Sequence, residues 1–189
     1  MSKVKVSNFK ITKTEIPGLL IIDLSLIGDD RGWFQEKFQQ AKLVEAGFPE
    51  WFEAKQNNIS YNKESGVVRG IHAEPWNKYI SVIKGKIFCT FVDLRPGDTF
   101  GKVLEIEVTP ERAIFLPKGC GNSFMTLEET YYSYLVDDFW TPELYNKYTF
   151  VNLADPELNI HWPIDLEKCT MSDRDKNHPM LKDVKPMEV

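Results

Sequence analysis

Short runs of β-branched and aromatic residues recur along this chain at intervals of about ten, each closed by glycine, aspartate or proline. The clearest are "LLIIDLSL" (19–26), "KYISVIKG" (78–85), "KIFCTFVDL" (86–94), "VLEIEVTP" (103–110), "RAIFLP" (112–117) and "TYYSYLV" (130–136). The breaks "GDDRG", "KGK", "RPGDTFG", "TPER" and "PKGCGN" carry the residue types that tight turns demand. The pattern predicts an all-β, jelly-roll-like antiparallel sandwich, whose eight or so strands enclose space for one small ligand. Two segments interrupt it. "FQQAKLVEAGF" (38–48) predicts a short helix with Ala41, Leu43 and Val44 on a buried stripe and Gly47 as its stop. The charged tail after Trp162, broken by Pro179, predicts a short helix plus an arm.

With 189 residues, no internal repeat and no Ser/Gly linker, one domain spanning 1–189 is expected, with an N-terminal strand arm and a C-terminal helical tail. A net charge of -5 argues against broad contact with nucleic acid or an anionic membrane, and leaves open a local basic pocket for one small anion. Cys89, Cys120 and Cys169 are odd in number and widely separated, so neither a disulfide framework nor a structural zinc site is expected. Cys120 is placed at the cavity rim. No signal-peptide core and no stretch of ~18 apolar residues occurs. A cytoplasmic, non-membrane protein is expected.

His72, in "GVVRGIHAEPWNKYISVIKG", is the residue on which a chemical reading turns. Strict strand alternation puts Val68, Gly70 and His72 on one face and Val67, Arg69 and Ile71 on the other, unless a bulge at Gly70 breaks the phase. Three readings stand: packed core residue, metal ligand, or base. The metal reading lacks a His-x-His pair, since position 74 is Glu, and the remaining histidines, His161 and His178, lie far down the chain. Arg69 and Lys78, with Arg31, Gln56, Asn57 and Asn58, would suit a phosphate-bearing ligand, because a guanidinium grips phosphate in a bidentate fork. Tyr131, Tyr132, Tyr134, Phe139 and Trp140 pack a core or line a cavity, where a phenol donates a proton and an aromatic face stacks on a base. In the tail, Asp173 and Asp175 flank Arg174. A carboxylate there matters only if it folds back onto His72 and orients the imidazole.

In order and spacing, "DDRGWFQEKF", "QNNIS", "GVVRGIH", "VDLRPGDTFGK", "FLPKGCGNSF", "YLVDDFWTPE", "DPELNIHWP" and "SDRD" resemble the dTDP-4-dehydrorhamnose 3,5-epimerase family, from about Gly18 to Lys185. The resemblance implies a cupin-type jelly roll with a few short peripheral helices, a homodimer, and cofactor-free, metal-free epimerisation of a dTDP-4-keto-6-deoxyhexose. By the same resemblance His72 is the base, Asp175 its carboxylate partner and Tyr134 the acid. Lys78 then stabilises the enolate oxygen, and Arg69 lies nearer the diphosphate. Arg31, Phe34, Glu36, Gln56, Asn58, Arg69, Asn122 and Trp140 are the implied substrate-binding set. Arg31 and Phe34 reach the partner's site from an N-terminal strand that crosses over, and Phe34 or Trp140 stacks on thymine.

Two positions depart from the family pattern. Asn122 replaces a histidine, and Trp140 replaces a tyrosine, keeping the stacking face without the phenol. A 3-epimerase or 3,4-ketoisomerase on the same nucleotide sugar, a non-catalytic sugar-nucleotide-binding jelly roll and a metal-dependent oxygenase are the competing readings.

Overall fold

The computed structural model describes residues 8–189. In chain order its elements are β1 (Phe9–Lys13), β2 (Leu20–Leu24), β3 (Ile27–Asp29), β4 (Gly32–Phe34), α1 (Gln40–Glu45), β5 (Gln56–Asn62), β6 (Val68–Ala73), β7 (Lys78–Lys84), β8 (Ile87–Asp93), β9 (Val103–Val108), β10 (Arg112–Leu116), β11 (Cys120–Thr126), β12 (Thr130–Val136), β13 (Thr149–Phe150) and α2 (Asp173–Lys176). Two antiparallel sheets form the body. One has the order β1-β2-β10-β7-β12-β5, the other β13-β6-β11-β8-β9, and β3 and β4 make a separate hairpin. This is the expected jelly-roll sandwich. Residues 1–7 of the expected N-terminal arm lie outside the described residues; β1 pairs with β2 of its own chain, Phe9 opposite Leu24.

Three apolar clusters explain why the central strands do not alternate. Between the sheets, Ile80, Val82, Ile114 and Tyr132 meet Ile87, Cys89, Phe91 and Phe124. Behind the five-stranded sheet, Val68, Ile71, Ala73, Val92 and Met125 are covered by Leu153, Leu158, Leu181 and Met187 of the C-terminal segment. Behind the other sheet, Ile22, Tyr79 and Phe115 pack on Leu43, Phe48 and Phe52. Strands covered on both faces read as continuous apolar runs, and β8 and β11 are buried at every residue. Burial of the aliphatic and aromatic side chains contributes roughly 1.5–3 kcal/mol each, so the C-terminal segment is an integral layer of the fold.

The helix near residue 40 forms, with Gln39 as its N-cap. It is only six residues long and turns one residue, Leu43, fully inward, while Val44 is half-buried and Ala41 is exposed. The tail forms α2 and two single 3₁₀ turns, Leu166–Lys168 and Leu181–Asp183. β11 begins inside the segment "PKGCGN", which reads in sequence as a turn.

One irregularity governs everything at the site. Along the β6–β11 pairing Asn122 faces His72 while Phe124 faces Arg69, so Ser123 alone spans Gly70 and Ile71. This is a bulge. It brings Arg69 and His72 onto the same inner face, correcting the strict alternation, while Ile71 and Ala73 turn to the outer cluster. Gly70 makes it possible. Its φ is +128°, and a Cβ there would come within 2.4 Å of the Ser123 Cβ and 2.6 Å of its Cα. Gly97 has a similar φ of +131° but open space around it. Gly70→Ala is therefore expected to destabilise the fold by roughly 2–4 kcal/mol, and Gly97→Ala by about 1 kcal/mol, in urea denaturation. Equal losses would mean that the contact with Ser123 is unimportant.

Candidate active site

Between the two sheets, bordered by β6 and β12, lies a cavity of about 620 Å³. Its walls come from opposite sheets. Arg69 and His72 (β6), Asn122 and Phe124 (β11) line one side, and Tyr132 and Tyr134 (β12) with Lys78 (β7) line the other. The C-terminal segment closes the rim. An isolated bridge between Val67 and Thr170 zips it to the start of β6, and Ser172 then caps α2 by accepting the Asp175 backbone N–H at 3.1 Å.

This cap aims Asp175 at His72. The Asp175 Oδ1 lies 2.8 Å from His72 Nε2, and the carboxylate is buried. Burial alone would raise its pKa; the hydrogen bond and charge of His72, with the Ser172 contact, outweigh that and hold it below the ordinary carboxylate range. An ionised acceptor on Nε2 makes Nε2 the protonated nitrogen of neutral His72 and leaves Nδ1 with the basic lone pair.

On the other wall Lys78 is almost completely buried. Its Nζ lies 2.7 Å from Asn122 Oδ1 and 2.8 Å from Glu74 Oε1, and 5.5 Å from the centre of the Tyr134 ring. The second Glu74 oxygen accepts the Trp76 indole N–H at 2.6 Å. The amide at position 122 thus orients the lysine. The Tyr134 hydroxyl is pushed up to about 12 by burial and by the Glu74 charge, against a lowering by Arg69. It stays protonated at neutral pH. Arg69 Nε donates to Asn62 Oδ1 at 3.1 Å.

The fold therefore gathers His72, Asp175, Tyr134, Lys78, Arg69 and Asn122 around one cavity. It does not bring the rest of the expected set there. Arg31 is exposed and paired with Asp29, Phe34 is exposed beside it on the β3–β4 hairpin, and Glu36 holds Lys42 at 2.6 Å. Gln56 Nε2 donates to Asn58 Oδ1 at 2.8 Å, and Gln56 Oε1 accepts the backbone N–H of exposed Trp140 at 3.0 Å, outside the cavity lining. Cys120 is buried in the inter-sheet core and not at the rim.

Three residues at the site escape sequence reading. Glu74 carries no pattern that marks it as the partner of Lys78 beyond a spacing of four. Ser172 is an ordinary N-cap. His178, discounted as too far down the chain, stands with its Nε2 3.8 Å from Asp175 Oδ1 and its ring 5.4 Å from that of His72. Burial and the charge of His72 hold its pKa below the usual histidine value, against the pull of Asp175. Its spacing of three from Asp175 was the available signal.

The family model described as dTDP-4-dehydrorhamnose 3,5-epimerase matches residues 13–183. The chain belongs to this family. A Streptococcus pyogenes serotype M6 relative named "Protein RmlC homolog" is 51% identical over 179 residues, covering 92% of this chain and 90% of the relative. The structure of RmlC from Streptococcus suis in complex with dTDP-D-xylose superposes with a TM-score of 0.89 at 48% identity, covering 95% of this chain and 94% of that one. That of the Legionella pneumophila 3,5-epimerase RmlC in complex with dTDP-4-keto-L-rhamnose gives 0.83 at 28% identity, covering 96% and 100%. No helix among the described residues is long and apolar enough to cross a membrane.

The Lys78–Glu74 pair makes a clean test of the lysine wall. Removing one partner of a buried ion pair strands the other, so Glu74→Ala is expected to cost about 3–5 kcal/mol in urea denaturation. Glu74→Gln keeps one acceptor oxygen, enough for Lys78 while its NH₂ faces the Trp76 indole N–H, and should cost less than Glu74→Ala. A Glu74→Ala loss below about 1 kcal/mol would place Lys78 in water.

Proposed function

We propose that the chain converts dTDP-4-dehydro-6-deoxy-D-glucose to dTDP-4-dehydro-L-rhamnose by enolisation and reprotonation at carbons 3 and 5. Both carbons are α to the 4-keto group, so each carries a proton made acidic by enolate formation, and one base serves both. His72 removes that proton through Nδ1, and Asp175 stabilises the imidazolium that results. Lys78 supplies positive charge to the developing enolate oxygen, a contribution that such preorganised donors make strongly in a water-poor site. Tyr134 returns a proton to the opposite face. Arg69 holds the diphosphate.

The observation that carries this reading is the origin of base and acid on opposing sheets: His72 on β6 and Tyr134 on β12 border the same cavity. Inversion at carbon needs proton removal and delivery from opposite sides. A pair on one strand face would only exchange the proton with retention.

The protein works as a homodimer in this proposal. Among the described residues the β3–β4 hairpin pairs with no other strand, and it leaves Trp33 and Phe34 exposed. It reaches the partner's cavity, where Arg31 meets a phosphate, Glu36 contacts the nucleoside and Phe34 stacks on thymine, opposite Trp140. Gln56 and Asn58 border the same nucleotide end. The free thiols of Cys89, Cys120 and Cys169 suit a reducing cytoplasm.

The test is an NMR time course with dTDP-4-keto-6-deoxy-D-glucose in deuterium oxide, product being trapped by a reductase that forms dTDP-rhamnose. Deuterium entering carbons 3 and 5 is expected. Exchange at carbon 3 alone would identify a 3-epimerase, and no exchange a binding protein. His72→Ala is expected to slow exchange at both carbons ~10²–10⁴-fold. Tyr134→Phe should leave exchange within about tenfold of wild type while L-rhamnose-configured product falls ~10²-fold or more. A Tyr134→Phe variant that still inverts at the wild-type rate would remove Tyr134 from the acid role.

A further inference from the structure

His178 has no part in the epimerisation as derived above, yet it is built into the site. It is only 8% exposed, its ring stacks on Phe150 with centres 4.7 Å apart, and neither ring nitrogen has a partner in good hydrogen-bond geometry among the described residues, the Val151 backbone being in looser contact. One of those nitrogens stands 3.8 Å from the same Asp175 oxygen that lies 2.8 Å from His72. The donor atoms of His72, Asp175 and His178 all fall within 4.8 Å of one another. Two imidazoles and a carboxylate are the donor set of a zinc-type site.

We propose that His72, Asp175 and His178 bind a divalent transition metal such as Zn²⁺, and that this binding switches off the base. Tetrahedral coordination with metal–nitrogen bonds of about 2.0–2.1 Å sets donor atoms about 3.3 Å apart, so shifts on the order of one ångström complete the site. Water takes the fourth position. Imidazole donors select Zn²⁺ and Co²⁺ over Mg²⁺ and Ca²⁺. Inhibition follows from the ring's two nitrogens. Asp175 keeps the proton of neutral His72 on Nε2 and the lone pair on Nδ1. A metal that takes Nε2 obliges that proton to move to Nδ1 through solvent, so the ring remains neutral but has no lone pair left for substrate. Metal and base are mutually exclusive states of one imidazole. The metal also ties the tail to β6, and so stabilises the fold by mass action.

Metal binding is measured without turnover, so it stands or falls separately from the proposed epimerase activity on which the inhibition rests. After chelator treatment, the full chain is titrated with Zn²⁺ by calorimetry and with Co²⁺ by visible absorption. One ion per chain, a ligand-field spectrum of low symmetry and a raised Tm are expected; Mg²⁺ should do nothing. His178→Ala should weaken Zn²⁺ binding by more than ~100-fold, since even indirect partners of a metal ligand are worth 10–100-fold. His178→Gln, closer in volume, gives the same readout if the alanine variant does not fold. In turnover assays the ratio of rates with and without Zn²⁺ should fall for the wild type and stay near one for the variant. No stoichiometric Zn²⁺ or Co²⁺ binding, or equal binding by the variants, would overturn the proposal; equal binding would point to another pair such as His161 and Glu105.

Discussion

The hydrogen bond between His72 and Asp175 joins residues 103 positions apart, and the site exists only because the fold closes that distance. Each end is held by a different device. His72 is turned inward by the bulge at Gly70, where the absence of a side chain lets β6 lie against Ser123. Asp175 is aimed by the Ser172 cap, on a segment zipped to β6 by the Val67–Thr170 bridge. Beneath that segment Leu153, Leu158, Leu181 and Met187 cover the outer face of the five-stranded sheet. A charged tail that reads as solvated surface is thus anchored by an apolar underside, and the rigidity of that anchoring is what makes a carboxylate at its tip a dependable partner.

The cavity separates its charges by wall. The β6 wall ends in His72, whose ring is hydrogen-bonded to the Asp175 carboxylate. The opposite wall carries a buried ammonium tied to Glu74 and Asn122, with a phenol that burial and Glu74 keep protonated. In the proposed reaction one side accepts a proton and the other gives one, and the lysine lies close to the phenol ring. Glu74 has a double effect: it pairs with Lys78, and its charge also raises Tyr134. Asn122 contributes its amide oxygen to this arrangement and no titratable group of its own.

Much of the fold was legible because β-branched and aromatic runs closed by turn residues are local signals. The runs at 19–26, 78–94, 103–117 and 130–136 all became strands. β11 was hidden because a strand buried on both faces can be built from small and polar residues, as in "CGNSFMT". The phase of β6 was ambiguous because a bulge depends on the neighbour across the sheet, here Ser123, and not on the strand itself. At the site, His72, Asp175, Tyr134 and Lys78 were accessible through ordered motifs. Glu74 and His178 were not, because their importance lies in what packs against them: a buried lysine for one, a shared carboxylate for the other. Leu43 alone of its expected stripe is fully buried, because α1 has fewer than two turns with which to make one.

In the proposed mechanism Asp175 fixes the proton of neutral His72 on Nε2 and leaves Nδ1 as the base. Long-range ¹H–¹⁵N correlation of the imidazole rings reads this directly, at a pH where the ring is neutral and with His72 assigned by comparison with His72→Gln. The predicted result is a protonated Nε2 and an unprotonated Nδ1 on His72. A neutral ring carrying its proton on Nδ1, or one that exchanges freely between the two tautomers, would contradict it.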